Sequence, residues 1–469
     1  MMKTNIVEQP AAPRQYSHAE RLKVIHGVLL CIMLAAIDQT VVLPAIPQMA
    51  QSLHGSAHLS WVVSAYLLTS TAATPILGKL SDQFGRAKVL LPCLLFFILA
   101  SVICALAISV PMLLLGRAAQ GLGGGALLAV SQSAVADVVP PRERGRYQAW
   151  FASVWALASG AGPVVGGYIA QHLSWRFIFW INLPLGAAAI FLCLRGLRDL
   201  RVMGSRGRLD ITGALLLMGS TTLLLAAMSL GGVDLPWASW QEAGLVLLAA
   251  AGFMVLNLQQ RLSPAPLLPG GLLGRLRGVV ALAWLNTGAM FASIFMFPLL
   301  LQTFFHEPPA QAGISLVPFL LSGAAGAYSA GQITRRTGWI RPILIGGMCC
   351  STLGFGCMAA APLAAPVAVS ALLGFGLGML NPILLIAAQS LARPEELGIA
   401  TGMLLLLRAM GGAFGATLAG TALDSSGHAA LSGYRFGFGF CLLLTLTGLV
   451  ILARLPEVKP RGGPEAKPS

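Results

Sequence analysis

The sequence predicts an all-α polytopic membrane protein with fourteen transmembrane helices, and three observations lead to this fold class. The 469-residue chain is 56% hydrophobic and only 10% charged, whereas soluble domains carry about 25% charged residues. Apolar stretches of about 20 residues, enough to cross a bilayer core, recur along the whole chain. The basic residues lie almost entirely on one side of these stretches, as expected of a membrane protein.

The predicted spans divide the chain into two six-helix bundles with an inserted helix pair between them. They are predicted at 22–43, 60–79, 88–108, 111–137, 148–171, 175–194, 211–230, 241–260, 279–302, 312–332, 342–361, 366–391, 398–421 and 434–454. The corresponding divisions are an N-terminal arm (1–21), a first bundle (22–194), a linker with two inserted helices (195–278), a second bundle (279–454) and a C-terminal tail (455–469). The predicted inner loops are too short for a soluble catalytic domain, so we do not expect an enzyme.

The distribution of Lys and Arg predicts the orientation of the chain. All but four of the 30 Lys and Arg residues lie in tails and loops on one side, the exceptions being Arg117, Arg176, Arg408 and Arg435. Because loops retained in the cytoplasm are enriched in basic residues, both termini are predicted to be cytoplasmic. The same asymmetry accounts for the net charge of +14, so we expect no nucleic-acid partner.

An internal repeat supports the division into two halves. The segment 78–88 aligns with 331–341, at an offset of 331 − 78 = 253 residues. Gly121 in the fourth span recurs as Gly378 in the twelfth, at an offset of 378 − 121 = 257. Transporter folds often carry such repeats, and eight spans separate the copies, so the inserted pair is predicted to be the seventh and eighth spans.

Seven motifs stand in or beside the spans, at 37–47, 78–88, 115–125, 159–167, 175–186, 210–213 and 408–415. Together they resemble the major facilitator superfamily, and within it the fourteen-helix drug:proton antiporter branch of bacterial multidrug exporters. The resemblance implies a major facilitator fold, with two bundles around a central cavity and no cofactor. It further implies a bacterial inner-membrane antiporter that exports small lipophilic compounds in exchange for protons by rocker-switch alternating access.

The motif after the second span predicts a conformational latch, formed by Gly78, Asp82, Gly85 and Arg86. Its glycines permit a tight turn and close helix approach, and a carboxylate at Asp82 can accept hydrogen bonds from helix amino termini or arginine. In the second copy Arg335 stands in place of Asp82. We therefore expect that copy to keep the turn and to lack the carboxylate.

Two charged residues within the spans, Asp38 and Arg117, are the candidates for proton coupling. Charges at membrane depth are costly and usually functional. Each lies about six residues from the outer end of its predicted span, about 9 Å below the surface, so the two can meet across the cavity. The resemblance also ties Arg117 to proton coupling, with a snorkelling arginine or a structural ion pair as the alternatives.

The fifth span carries the string that the resemblance associates with antiporters, namely Gly162, Pro163, Gly166 and Gly167. Glycines at this spacing leave a smooth helix face, and proline permits a kink. Polar or soft residues in the spans are candidate cavity lining: Tyr66, Gln132, Trp155, Asn182, Asn286, Met290, Phe295, Gln389 and Arg408. Arg408 has two readings, a coupling residue and a structural hydrogen-bonding arginine.

Several functions and partners remain open at this level. A lipid or metabolite exporter would share every motif, because fold does not settle substrate, and a non-transporting receptor or assembly protein is a further alternative. The resemblance leaves open a periplasmic adaptor and an outer-membrane channel as partners. His54 and His58 have no third ligand nearby, so no metal site is predicted. Since the spans of the second half contain no Asp or Glu, we expect poor handling of divalent cations.

Overall fold

The structure is a computed structural model, and it describes residues 16–53, 61–140, 143–197, 210–231, 235–236, 239–263, 266–267, 270–307, 309–426 and 431–455. Its long helices are α1 (His18–Val41), α2 (Trp61–Phe84), α3 (Arg86–Ala105), α4 (Val110–Val138), α5 (Arg144–His172), α6 (Asn182–Leu197), α7 (Ile211–Leu230), α8 (Trp240–Leu262), α9 (Gly270–Phe304), α10 (Val317–Thr337), α11 (Arg341–Ala360), α12 (Pro366–Leu391), α13 (Leu397–Ser426) and α14 (Leu431–Arg454). His54, His58, most of the N-terminal arm and nearly all of the C-terminal tail lie outside the described residues.

Within the described chain, 12 helices are long and apolar enough to cross a membrane. The other two predicted spans, 148–171 and 312–332, correspond to α5 and α10, which are 29 and 21 residues long. Both helices are rich in glycine, alanine and polar residues and pack against each other and other helices, where small residues permit close approach. The all-α membrane fold is confirmed, and the count of fourteen spans stays a prediction.

The helices form two packed groups and a peripheral pair. Helices α1 to α6 contact one another around an apolar core that includes Phe97, and α9 to α14 do so around cores that include Phe355. Helices α7 and α8 pack on each other, and α7 also contacts α2 and α13. The inserted pair therefore lies against a helix of each half, while the predicted domain boundaries stay a prediction.

Asp210 begins the inserted pair and ties its two helices together. Its carboxylate accepts from the Gly213 amide at 2.8 Å and from the side chains of Gln259 at 2.7 Å and Gln260 at 2.6 Å. Burial raises the pKa of Asp210, but the hydrogen bonds from Gly213, Gln260 and Gln259 lower it more, so its pKa lies below the usual value. Asp210 is therefore ionised at neutral pH and holds the start of α7 against the end of α8.

Both copies of the repeated motif turn at a glycine. Gly85, between α2 and α3, has φ of 99°, and Gly338, between α10 and α11, has φ of 72°. These left-handed backbones favour glycine because a side chain would clash there. The two positions are related by the offset of the repeat, 338 − 85 = 253, so the second copy keeps the turn although it has no counterpart of Asp82.

The two halves meet at the end of the molecule that carries these turns, which we call the basic end. A Cβ atom on Gly78 of α2 would lie 2.3 Å from the carbonyl oxygen of Gly398 on α13, and one on Gly145 of α5 would lie 2.6 Å from that of Gly331 on α10. The contacts are repeat-related, because 398 − 145 and 331 − 78 both equal 253. Backbones this close leave no room for a side chain, so the basic end is closed in this structure.

The positive-inside bias predicts that the two ends of α8 lie on opposite sides of the membrane. We expect an impermeant thiol reagent to label Gln241→Cys in intact cells and to label Leu262→Cys only after permeabilisation, since both side chains are exposed and the second lies at the basic end. The unsubstituted protein is the control for its native cysteines. Labelling of Leu262→Cys in intact cells would refute the orientation.

Candidate functional site

An ion pair between Asp38 on α1 and Arg117 on α4 lies inside the first half. Arg117 Nη1 donates to Asp38 Oδ2 at 2.7 Å. Gln120 bridges the two, since its Oε1 accepts from Arg117 Nη1 at 2.7 Å and its Nε2 donates to Asp38 Oδ1 at 2.8 Å. Asn182 Nδ2, from the start of α6, donates to the same Oδ1 at 2.8 Å. One carboxylate thus accepts hydrogen bonds from side chains of two neighbouring helices, and we call these four residues the Asp38 cluster.

The Asp38 cluster is sealed from solvent. Asp38 is 1% exposed and Arg117 is 0% exposed, so Arg117 does not snorkel. Arg117 Nε donates to the Val62 carbonyl oxygen at 3.0 Å, and the guanidinium lies 4.5 Å from the centroid of the Tyr66 ring. A charge buried this completely is stable only when it is paired and hydrogen-bonded. Protonation of Asp38 would therefore leave Arg117 as an uncompensated charge.

Two residues predicted to line the cavity, Tyr66 and Asn182, are instead fully buried beside the ion pair. The Tyr66 ring packs against the Arg117 guanidinium, and the Asn182 side chain donates to the Asp38 carboxylate. Sequence reasoning missed Gln120, which stands three residues after Arg117 and so shares its helix face; that spacing could have identified it. It also missed Ser101, which accepts from Asn182 Nδ2 at 3.0 Å and carries no comparable sequence signal.

Asp82, near the end of α2, links the two halves at the basic end. Its Oδ1 accepts from the Gly398 amide at 2.7 Å, and its Oδ2 accepts from the Ile399 amide at 2.9 Å. Both amides belong to the first turn of α13, where N–H groups lack partners within the helix and the helix dipole is positive. The first half thus supplies an anionic cap to a helix of the second half.

Arg86 joins Asp82 to the rest of the first half. Its Nη1 donates to Asp82 Oδ1 at 2.7 Å, and its Nε donates to Asp137 Oδ2 at 2.7 Å. Sequence reasoning missed Asp137, because an acidic residue at the end of α4 beside a basic loop resembles an ordinary surface group. In the second copy of the motif Arg335 is exposed, so the network of carboxylates and arginine belongs to the first copy.

The glycines of α5 bring this helix against α1 just beyond Asp38. A Cβ atom on Gly162 would lie 2.0 Å from Thr40 Oγ1, and one on Gly166 would lie 2.1 Å from the Val41 carbonyl oxygen. A Cβ atom on Gly167 would make only an ordinary contact, and Pro163 has its side chain outside the described ones. Gly162 and Gly166 therefore set the distance between α5 and the helix that carries Asp38.

A second polar cluster lies in the second half. Arg408 Nη2 on α13 donates to Asn381 Oδ1 on α12 at 2.9 Å. Asn286 Nδ2 on α9 lies 3.4 Å from the same oxygen, and Asn381 Nδ2 lies 3.8 Å from Met290 Sδ. Of these residues Asn286 is fully buried, whereas Arg408 and Met290 are half-buried. The structure thus brings together three of the predicted cavity residues, joined by Asn381, which sequence reasoning missed.

Two other predicted cavity residues, Gln132 and Gln389, are buried, with 9% and 3% exposure. Gln389 Oε1 lies 3.4 Å from Arg144 Nη1, and its Nε2 donates to Thr401 Oγ1 at 3.2 Å. Because Arg144 begins α5 and Gln389 ends α12, this contact belongs to the closed basic end. Side-chain polarity alone did not distinguish an interface between halves from a cavity wall.

The remaining candidates, Trp155 and Phe295, differ in exposure. Trp155 on α5 is half-buried against the core of the first half. Phe295 on α9 is 44% exposed. Both therefore stay candidates for contact with a substrate.

Comparison with known proteins places this geometry in a family. The family model described as Major Facilitator Superfamily matches residues 28–416. The Multidrug transporter protein MdtP of Bacillus subtilis (strain 168) is 32% identical over 422 residues, which cover 88% of this chain and 77% of that protein. Multidrug resistance protein 3 of the same organism is 29% identical over 404 residues, covering 85% and 78% of the two chains.

Solved structures show the same fold at lower sequence identity. The human organic anion transporter MFSD10 (TETRAN) superposes with a TM-score of 0.68 at 19% identity, covering 95% of this chain and 100% of that one. The proton:xylose symporter XylE superposes with a TM-score of 0.66 at 14% identity, covering 95% and 98%. At such identities the likeness concerns the fold alone.

Proposed function

Because this chain belongs to the major facilitator superfamily, and is thus a membrane transporter and not an enzyme, we propose that it is a proton-coupled antiporter that exports small lipophilic compounds. Its named relatives include multidrug transporters, which supports this substrate class. The proposed location is a bacterial inner membrane with both termini in the cytoplasm, in agreement with the basic residues at one end of the bundle.

The observation that carries the proposal is the sealed ion pair between Asp38 and Arg117, 2.7 Å apart. In the present conformation Arg117 and two amide groups stabilise the ionised carboxylate. A rearrangement that separates α1 from α4 would leave Asp38 in apolar surroundings, which favour the neutral, protonated form. A carboxylate that binds a proton in one conformation and releases it in another meets the requirement for proton coupling.

The contacts between the halves support alternating access as the mechanism. The basic end is closed by glycine contacts between α2 and α13 and between α5 and α10, and Asp82 caps α13 across the same boundary. Rocking of one half against the other would break these contacts and open the cytoplasmic side, as in transporters built from repeats. In alternating access the closed basic end corresponds to a state that is not accessible from the cytoplasm.

The packing of α5 on α1 connects this motion to the proton site. Gly162 and Gly166 contact Thr40 and Val41, two and three residues beyond Asp38, and α5 begins at the contact of Gly145 with Gly331 between the halves. A shift of α5 on opening would therefore act on α1 next to Asp38. This arrangement supports an antiporter role for the α5 glycines.

The proposal is tested in proteoliposomes that contain a pH indicator and are offered lipophilic cations, weak acids and neutral drugs in turn. We expect at least one of these classes to release protons in a saturable manner, because substrate and proton compete for conformations of one carrier. Empty liposomes and protonophore-treated vesicles are the controls. Substrate movement without any proton movement would contradict antiport, and activity with lipids alone would favour a lipid exporter.

A further inference from the structure

Arg408 is a charged residue deep in the second half. It stands 408 − 397 = 11 residues after the first residue of α13, about 16 Å along the helix axis at 1.5 Å per residue. An arginine at this depth is unfavourable unless a counter-charge or water compensates it. Its surroundings therefore indicate what it binds.

Among the described residues Arg408 has no carboxylate partner. The ion pairs among the described residues involve Arg21, Arg86, Arg117 and Arg275. The Arg408 guanidinium donates a hydrogen bond to the Asn381 carboxamide oxygen instead. The other deep arginine, Arg117, is neutralised by Asp38.

The acidic residues of the second half do not supply the missing charge. Glu396 accepts from Arg275 at 2.6 Å, and Glu307 and Glu395 lie outside the long helices. Asp424 lies 424 − 408 = 16 residues further along the same helix, about 24 Å away. Compensation for the Arg408 charge must therefore come from water or from a counter-ion outside this part of the chain.

The surroundings of Arg408 include aromatic residues of α9 and the side-chain amide of Asn381. Gly412 shares its helix face one turn further on, and a Cβ atom there would lie 3.1 Å from the Phe291 ring. Phe291 and Phe295, one turn apart on α9, are 43% and 44% exposed. Asn381 positions the guanidinium through its carboxamide oxygen. A cation one helix turn from a residue that packs on an exposed aromatic ring is suited to a ligand with an anionic end and an aromatic body.

We propose that Arg408, positioned by Asn381, binds the carboxylate of small aromatic organic acids, that Phe291 and Phe295 of α9 receive the aromatic body, and that such monoanions are substrates. This inference deepens the proposed export function and rests on it. The guanidinium offers a planar fork that matches a carboxylate. A cationic drug would meet a like charge here, because no carboxylate among the described residues pairs with Arg408.

Binding to purified protein in nanodiscs tests the site independently of transport. The probes share one aromatic body: 2-naphthoate, its neutral amide and the corresponding 2-naphthylmethylammonium. We expect the carboxylate to bind most tightly, and Arg408→Gln to weaken it roughly 10- to 100-fold while amide binding stays unchanged. Arg408→Lys should retain part of the preference, because it keeps the charge and loses the fork.

Arg435→Gln is the matched control, since it removes an exposed arginine near the start of α14 and should leave all three affinities unchanged. Tightest binding of the ammonium probe, or an unchanged carboxylate preference in Arg408→Gln, would overturn the site. Chloride that binds the protein as tightly as 2-naphthoate would also overturn the site, because a simple halide site needs no aromatic body.

Two further measurements, one of binding and one of transport, distinguish a failure of this inference from a failure of the proposed function. Naphthoate binding in the Asp38→Asn variant should persist even where proton-driven export is lost. In proteoliposomes, the outward movement of a monoanion and the inward movement of a proton both transfer net positive charge to the inside. An inside-negative membrane potential should therefore accelerate this exchange. Proton-coupled export of cations alone, without naphthoate binding, would refute the inference and leave the proposed function standing.

Discussion

Asp38→Asn is expected to insert and bind ligand but to lose proton-driven export. One pH unit corresponds to about 1.4 kcal/mol, so a one-proton antiporter can sustain at most about a tenfold substrate gradient per pH unit. Without a titratable group at position 38 this ratio should fall to about one, whereas Asp38→Glu should retain some coupling. The measurement is the steady-state substrate ratio across proteoliposomes with an imposed pH gradient.

A structural ion pair predicts a different result for the same variant. Removing one partner of a buried pair costs about 3–5 kcal/mol, because the other charge is left uncompensated. The double variant Asp38→Asn with Arg117→Gln removes that charge, so a purely structural role predicts recovered stability and recovered export. We expect the double variant to recover the stability of the fold but not proton-driven export. Glu395→Gln, which neutralises an exposed carboxylate, is the control, and gradient-driven export at wild-type rates in Asp38→Asn would show that the proton site lies elsewhere.

Asp82→Asn is expected to shift the protein away from the state that is closed at its basic end. The substitution keeps the volume but removes the charge that caps α13 through Gly398 and Ile399. Hydrogen bonds to charged groups contribute about 1.5–3 kcal/mol, so the closed state should lose roughly 10- to 100-fold in population relative to the open one. Distances between spin labels at Lys88→Cys and Glu395→Cys, both exposed in the parent, should lengthen, and transport should fall while insertion survives.

Asp137→Asn provides the matched comparison for this effect. Asp137 also binds Arg86, but the described structure gives it no bond to α13, so its loss weakens the network within the first half only. We expect a smaller change in the distance distribution than for Asp82→Asn. Equal shifts in both variants, or an Asp82→Asn protein with unchanged distances and full transport, would rule out Asp82 as the residue that holds the halves together.

Much of the fold follows from local properties of the sequence. The apolar length of each span and the one-sided distribution of basic residues can be read without knowing any contact. The two deep charges, Asp38 and Arg117, could be assigned the same depth by counting residues, and the structure brings them to 2.7 Å. The turn glycines were identifiable because Gly85 and Gly338 stand at equal places in a repeat.

Other features depend on contacts that no local pattern encodes. The partners of Asp82 are backbone amides 316 and 317 residues away, and amides carry no sequence signature. Periodicity is also uninformative for helices buried on most sides, which is why Tyr66 and Asn182 were assigned to a cavity and lie against the ion pair instead. Asn381 was missed for the same reason, because its contact with Arg408 is made between helices.

Composition, span length and motif spacing are sufficient to predict the all-α membrane fold, the internal repeat and the charged residues available within the spans. Which of the two deep arginines is neutralised depends on the packing of the helices against one another. Arg117 meets Asp38 inside one half, whereas Arg408 finds only the amide of Asn381 among the described residues. Helix packing fixes that difference, because a charge is paired or unpaired only according to what neighbouring helices bring within hydrogen-bonding distance.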